Sequence, residues 1–107
     1  MSDTLLVITN TPDPDTAGRI ARHLVEDRLA ACVNRLAPCR SVYRWEGEVE
    51  EAEEIPLLIK TTVARYPEVE AAIRALHPYE LPEVVAVRVE RGLPAYLAWV
   101  AQETVTD

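Results

Sequence analysis

Residues 39–61 read CRSVYRWEGEVEEAEEIPLLIKT and decide the fold. Before Glu46-Gly47 the side chains alternate between two faces, one of which carries Tyr43 and Trp45, and this period of two is typical of a β-strand. Glu46-Gly47 supplies a tight turn, and residues 48–61 continue as a second strand. The pattern predicts a hairpin whose arms exceed the usual strand length of about 5–6 residues.

The chain before this hairpin predicts a strand, a helix and a small apolar segment. Residues 4–9 (TLLVIT) are apolar and β-branched, as in a buried strand. Asp13 followed by Pro14 predicts a helix start, because an aspartate side chain accepts from free backbone N–H groups and proline suits the first helical position. Apolar residues recur at helical spacing up to Val25, and the small apolar run 29–36 leads into the hairpin.

The chain after the hairpin predicts a helix, a strand and a last helix. Residues 65–76 carry apolar side chains on one helical stripe, and His77-Pro78 ends that helix. Alternation over 83–90 predicts a strand, and residues 94–103 predict a last helix. The order β-α-β-β-α-β-α specifies an α/β (α+β) fold, a ferredoxin-like βαββαβ sandwich with a C-terminal helix, in a single domain over residues 1–107.

The predicted sheet has one face without a helix to cover it. The long hairpin arms also expose N–H and C=O groups that would promote aggregation of a monomer. We therefore expect closed self-association, and a dilute, well-folded monomer of 12.0 kDa would contradict this expectation.

Charge excludes two classes of partner. The 107 residues include 11 Lys and Arg against 18 Asp and Glu, which gives a formal net charge of -7. This field repels phosphate backbones and anionic membrane surfaces, so we expect neither nucleic acid nor a membrane as a partner.

We expect the protein to be cytoplasmic with reduced thiols. No apolar run approaches the roughly 20 residues that span a bilayer, and the start Met-Ser-Asp-Thr lacks the basic segment of a secretory signal. Cys32 and Cys39 are separated by seven steps of an extended segment, which is too far for a disulfide. Eight prolines against three glycines, with few Asn, Gln and Met, further predict a heat-stable protein.

The densest charge run is a set of six glutamates in the hairpin. Clustered carboxylates suit hard cations such as Mg²⁺ or Ca²⁺. On a strand, however, they alternate between two faces, which predicts a solvated edge that prevents aggregation. The six are Glu46, Glu48, Glu50, Glu51, Glu53 and Glu54.

Two further residues are candidate metal ligands. Cys32 lies among small apolar residues and is either a small buried hydrophobe or a soft ligand. His77 begins the segment HPYELP, residues 77–82, in which two prolines hold an imidazole, a phenol and a carboxylate in one stiff loop. It either caps the preceding helix or binds a ligand.

The sequence has no persuasive catalytic set. A Gly-rich phosphate loop, a nucleophile elbow and a zinc-protease helix are all absent from it. Catalytic residues would have to converge from distant segments or from different subunits. The available polar and aromatic candidates are Tyr43, Trp45, Lys60, His77, Tyr79 and Glu80.

Five segments taken together resemble the CutA divalent-cation-tolerance family. They are residues 30–34 (AACVN), 41–47 (SVYRWEG), 59–62 (IKTT), 77–83 (HPYELPE) and 96–99 (YLAW), and they span nearly the whole chain in the family's order. The resemblance implies a homotrimer of ferredoxin-like subunits whose hairpins pair between subunits, similar in architecture to the PII signalling proteins.

The resemblance also implies a function in tolerance of copper and other divalent metals, without catalytic activity. We expect weak binding of Cu²⁺ or a similar divalent cation by Cys32, His77 and Glu80, and no organic cofactor. The remaining expected cleft residues are Tyr43, Trp45, Lys60 and Tyr79. The alternative is a PII-like small-molecule sensor or signalling scaffold that binds its ligand at the subunit clefts, although the tight Glu46-Gly47 turn replaces the long effector loop expected of such a sensor.

Overall fold

The computed structural model describes residues 3–105, within which the chain forms five strands and three helices. The elements are β1 (Thr4–Thr11), α1 (Pro14–Glu26), β2 (Cys32–Arg35), β3 (Cys39–Trp45), β4 (Glu48–Thr62), α2 (Tyr66–Leu76), β5 (Val85–Arg88) and α3 (Pro94–Glu103). The elements follow the predicted order, except that the apolar segment before the hairpin forms a short strand of its own, β2.

The strands form one antiparallel sheet built on β4. The strand order is β2-β4-β1-β5, with β3 paired to β4 alone, and this is a ferredoxin-like order. The second half of the 15-residue β4 lies between β1 and β2, whereas its first half carries only β3. The predicted hairpin therefore forms and projects from the sheet, so the molecule measures 44 × 25 × 23 Å.

The tip of the hairpin is a two-residue turn. Trp45 pairs with Glu48, and the two residues between them have positive φ, 49° for Glu46 and 83° for Gly47. Positive φ at both central positions defines the type I′ turn, whose twist matches that of the flanking strands. Glycine adopts this backbone readily, whereas glutamate does so at a cost.

Two helices cover one face of the sheet. The predicted cap of α1 is confirmed, because the Asp13 side chain accepts from the Thr16 N–H at 2.8 Å. Hydrogen bonds from the backbone and side chain of Thr16 lower the pKa of Asp13. The core contains aliphatic side chains and no Phe, so it is stabilised by close packing of small branched groups. Its fully buried members include Val7, Ile20, Leu24, Leu57, Ile59, Val69 and Ile73.

The expectation that no helix covers the second face is wrong in part. Cys32 pairs with Lys60 on the face opposite the core, and Tyr96 of α3 is a neighbour of Cys32. Accordingly α3 packs against β4 and β1, and its Val100 is fully buried. Over β5, Val85 and Val87 of this face are 48% and 52% exposed, so none of the helices within residues 3–105 covers them fully.

The last strand is shorter than predicted, because β5 covers Val85–Arg88 rather than residues 83–90. The Asn10 carbonyl lies beyond the part of β1 that pairs with β5, and it accepts instead from the His77 ring at 2.7 Å. The His77 side chain thus occupies the Asn10 carbonyl, to which a backbone N–H of a longer β5 would otherwise donate. Both cysteines are free, as predicted.

Candidate functional site

A groove of about 980 Å³ lies between the β3–β4 hairpin and the loop that follows α2. Three aromatic rings and four carboxylates line it, and no Lys, Arg or His side chain is among the lining residues. The lining residues are Asn10, Ser41, Val42, Tyr43, Trp45, Glu50, Glu54, Pro78, Tyr79, Glu80, Leu81, Pro82 and Glu83. The groove is therefore electronegative and partly aromatic.

The strand register gathers one wall of the groove. Tyr43 pairs with Glu50, and cross-strand partners carry their side chains on the same face. Because side chains alternate along a strand, Trp45 and Glu54 share this face. Four residues that are separate in the sequence thus form one surface.

His77 fixes the loop that forms the other wall. Its ring is buried, and Nε2 donates to the Asn10 carbonyl at 2.7 Å while Nδ1 accepts from the Tyr79 N–H at 3.2 Å. These partners assign the neutral tautomer with the proton on Nε2. Because both ring nitrogens are in use, a metal ion can bind either one only after displacing a hydrogen bond.

Tyr79 joins the two walls. Its hydroxyl donates to Oε2 of Glu54 at 3.2 Å, and its ring centroid lies 4.6 Å from that of His77. Burial raises the pKa of Tyr79 to about 12, and the negative charge of Glu54 adds to the shift. The phenol therefore keeps its proton at neutral pH and acts as a hydrogen-bond donor.

The far end of the loop is held by Asn10, whose Nδ2 donates to Oε1 of Glu83 at 3.1 Å. Asn10 thus contacts both ends of the loop, through its carbonyl at His77 and through its amide at Glu83. Glu80 and Leu81, between these anchors, are exposed.

Cys32 and Lys60 lie outside the groove, in a separate cluster beside α3. Lys60 Nζ donates to Asn34 Oδ1 and is 4.0 Å from the Cys32 sulfur, on the face that α3 covers. Burial raises the pKa of the neighbouring Tyr96, and Cys32 adds to that shift. Lys60 is six residues beyond Glu54 along β4, a separation of roughly 20 Å in a strand. Neither Cys32 nor Lys60 lines the groove.

The structure therefore brings four of the predicted site residues together and separates the rest. Tyr43, Trp45, Tyr79 and Glu80 line the groove, and His77 supports it from behind. Within residues 3–105, no group of three or more His, Cys, Asp or Glu side chains is placed to hold a metal ion.

The family model described as CutA1 divalent ion tolerance protein matches residues 5–103. The chain belongs to the CutA1 family. The match includes both walls of the groove as well as the cluster at Cys32.

CutA proteins from distantly related organisms have sequences similar to that of this chain. The divalent-cation tolerance protein CutA of Thermus thermophilus is 44% identical over 99 residues, which are 92% of this chain and 96% of the relative. The mouse and human CutA proteins are 46% and 45% identical over 87% and 90% of this chain. This chain spans about half the length of the two mammalian relatives, 52% and 55%.

Solved CutA1-family structures confirm the fold. The crystal structure of CutA from Xylella fastidiosa has 46% sequence identity and a TM-score of 0.95, covering 97% of this chain and all of that one. The CutA structure from Archaeoglobus fulgidus, described as a periplasmic protein, has 35% identity and a TM-score of 0.92 and covers 95% and 99%. In the described part of our chain, no helix is both long enough and apolar enough to cross a membrane.

Sequence reasoning missed several groove residues of this CutA1 protein. Glu54 was expected on a solvated edge with the other glutamates, but it is only 7% exposed. The signal was available, because Glu54 directly precedes the apolar run 55–59 and shares its strand face with Tyr43. Asn10 and Glu83 were also missed, since they are 73 residues apart and meet only in the folded sheet.

Proposed function

We propose that this CutA1-family protein acts in divalent-cation tolerance by binding divalent cations, with Cu²⁺ foremost, weakly and without catalysis. The supporting observation is the groove, which has four carboxylates and no basic side chain. Carboxylate oxygens bind divalent cations, and a given set of N, O or S ligands binds Cu²⁺ most tightly among the first-row divalent metals. Several relatives carry the name divalent-cation tolerance protein.

Glu80, His77 and Cys32 are the proposed ligands, and they differ in accessibility. Glu80 is exposed in the groove, whereas His77 must release Tyr79 N–H or the Asn10 carbonyl before it can bind a metal. Cys32 belongs to the separate cluster with Lys60 and would bind a soft cation there.

Calorimetric titration with Cu²⁺ tests these ligands one at a time. Glu80→Gln, His77→Ala and Cys32→Ala each remove one ligand, and we expect at least one of them to weaken binding. Glu53→Gln is the matched control, since Glu53 pairs with Arg40 on the other face of β4. Unchanged Cu²⁺ affinity in all three variants would remove these residues from the proposal.

We further propose that the functional unit is a homotrimer. Among the strands within residues 3–105, β3 pairs only with β4 and β5 only with β1, so each has an edge that no other described strand covers. Large apolar side chains outside the groove are also exposed, among them Val49, Val85 and Val87. Sedimentation equilibrium should give three times the 12.0 kDa chain mass, and a well-folded monomer would overturn the proposal.

We infer a cytoplasmic location from the cysteines. Both thiols are free, and Cys39 is exposed, which suits a reducing compartment. Fractionation of cells that express the untagged protein tests this inference, and recovery from the periplasm, as described for the Archaeoglobus relative, would contradict it.

A second candidate function uses the same groove. Aromatic rings do not coordinate Mg²⁺ or Cu²⁺, yet Tyr43, Trp45 and Tyr79 all line it, and pockets of 300–1,000 Å³ with apolar walls and a few polar groups bind small molecules. This favours a PII-like sensor or scaffold that binds a metabolite. A thermal-shift screen with metals, and with metabolites in EDTA, separates the two functions, because only the bound ligand raises Tm. No response to either class would favour a scaffold role.

A further inference from the structure

Glu54 is a buried carboxylate with an unused acceptor. Its side chain is 7% exposed and lines the groove, and Oε2 accepts from the Tyr79 hydroxyl. No donor or cation among the described residues contacts the other oxygen, Oε1. Within residues 3–105, the buried side-chain polar atoms without a hydrogen-bond partner are Thr9 Oγ1 and Arg65 Nε, so Glu54 Oε1 is open to the groove rather than sealed from water. The site therefore lacks a positively charged partner.

The other groove carboxylates do not have one either. Of the five ion pairs within residues 3–105, none involves Glu50, Glu80 or Glu83. Glu83 accepts from the neutral amide of Asn10. Within the single chain, the charge of the groove is thus not compensated by basic side chains.

The aromatic residues restrict the kind of cation. Tyr43 and Tyr79 are 39% and 38% exposed, so their rings are accessible at the groove, and Trp45 is half-buried beside them. A ring face attracts an organic ammonium or guanidinium group within about 6 Å, and tryptophan attracts it most. A hydrated metal ion uses the carboxylates alone, whereas an organic cation uses both the carboxylates and the rings.

We propose that the groove binds a small organic cation that carries N–H donors, a primary ammonium or a guanidinium. Its N–H group donates to Glu54 Oε1, and its charge lies between the aromatic residues and the exposed carboxylate of Glu80. This inference rests on the second function proposed above and names the chemical class of the ligand.

A pair of probes of nearly the same shape tests the charge requirement. Butylguanidine carries the cation, and butylurea replaces it with a neutral group that keeps N–H donors. Calorimetric titration in EDTA should show binding of butylguanidine and at least tenfold weaker binding of butylurea, since hydrogen bonds to charged groups are the stronger ones. Equal affinity for the two probes, or no binding of butylguanidine up to about 10 mM, would overturn the inference.

Two charge-removing variants test whether Glu54 forms part of the butylguanidine site. Glu54→Gln keeps the size of the side chain and removes its charge, so we expect roughly tenfold weaker binding of butylguanidine. Glu53→Gln changes the charge by the same amount on the other strand face and should leave the affinity within about twofold. Equal binding by Glu54→Gln and the wild type would also overturn the proposal.

If Glu54→Gln does not fold, two exposed or half-buried positions keep the inference testable. Trp45→Leu removes a ring and Glu80→Gln removes a charge, and each should weaken butylguanidine binding several-fold. Unchanged affinity in both would count against the site. A wild-type protein that is stabilised by a neutral or anionic metabolite but not by butylguanidine would retain the sensor function and overturn only the organic-cation inference.

Discussion

The two histidines of the chain have opposite surroundings. His77 is buried with hydrogen bonds at both ring nitrogens, whereas the side chain of His23 on α1 is 42% exposed and forms an ion pair with Asp27 when it is protonated. His77 therefore acts first as a structural link between β1 and the groove loop. Any metal binding by this residue competes with that role.

Replacing His77 by Ala should destabilise the protein by about 2 kcal/mol, because two hydrogen bonds are lost and the Asn10 carbonyl and Tyr79 N–H lose their partner. Urea unfolding of His77→Ala measures this loss. His23→Ala is the control and should stay within about 0.5 kcal/mol of the wild type. Equal effects of the two substitutions would contradict the structural role of His77.

The raised pKa of Tyr79 predicts that the stability of the fold falls at alkaline pH. Its pKa is raised from the ordinary value of 10.0 to about 12 in the folded protein, so folding disfavours loss of the phenol proton. This contribution to stability is complete below pH 10 and is lost as the pH rises from 10 to 12. Tyr79→Phe should flatten the fall in Tm across this window, and Tyr43→Phe is the control. A wild-type and a Tyr79→Phe curve of the same shape would refute the prediction.

At the scale of elements, the β3–β4 hairpin carries one wall of the groove and depends on its turn. Glu46 adopts a left-handed backbone with φ of 49°, which costs a residue with a side chain roughly 1–2 kcal/mol. Asparagine tolerates this conformation better, and Asn-Gly is the preferred pair for a type I′ turn.

Glu46→Asn should therefore stabilise the protein by about 0.5–1 kcal/mol, part of the cost of the left-handed residue. The urea midpoint of unfolding measures the gain. Glu48→Asn removes the same charge from an extended position two residues away and should bring no gain. A midpoint for Glu46→Asn at or below that of the wild type would show that the turn is not strained.

At the scale of the whole molecule, the shape and the surface are unusual for a chain of this length. The radius of gyration is 14.3 Å, against about 13 Å for a compact domain of 107 residues, because the hairpin projects. Open strand edges and exposed valines accompany this projection. Both features are compatible with the proposed homotrimer, which would cover them.

The composition predicts a heat-stable protein, and residues 1–107 are predicted to form one domain. Calorimetry of the intact protein should show one cooperative transition at a Tm well above the range of about 45–65 °C that is common in mesophiles. A Tm within that range would refute the heat-stability prediction, and two separate transitions would refute the single domain.

The sequence alone was sufficient to predict the order of the helices and strands and to identify the family resemblance. Hydrophobic alternation predicted the long β4, and the pair Asp13-Pro14 predicted the start of α1 together with its cap. These features are local, since a strand period, a cap and a tight turn each depend on a few neighbouring residues. The loop at residues 77–82 was predicted as a binding candidate for the same reason.

The burial and the contacts of individual residues could be determined only from the tertiary structure. α3 covers the second sheet face at Cys32, and this depends on how a helix packs across strands that are far apart in the sequence. The same holds for Glu54, which strand alternation could place on a face but not in a buried site beside Tyr79.

The sequence by itself determined the family, the ferredoxin-like order of elements and the aliphatic core, because periodicity and turn chemistry are written in adjacent residues. The tertiary structure decided that His77 is a hydrogen-bonded support and that Cys32 lies apart from the groove. It also decided that Glu54 is a buried acceptor in the groove. The physical reason is that burial and hydrogen-bond partners arise from strand register, which brings residues 25 to 73 positions apart into contact.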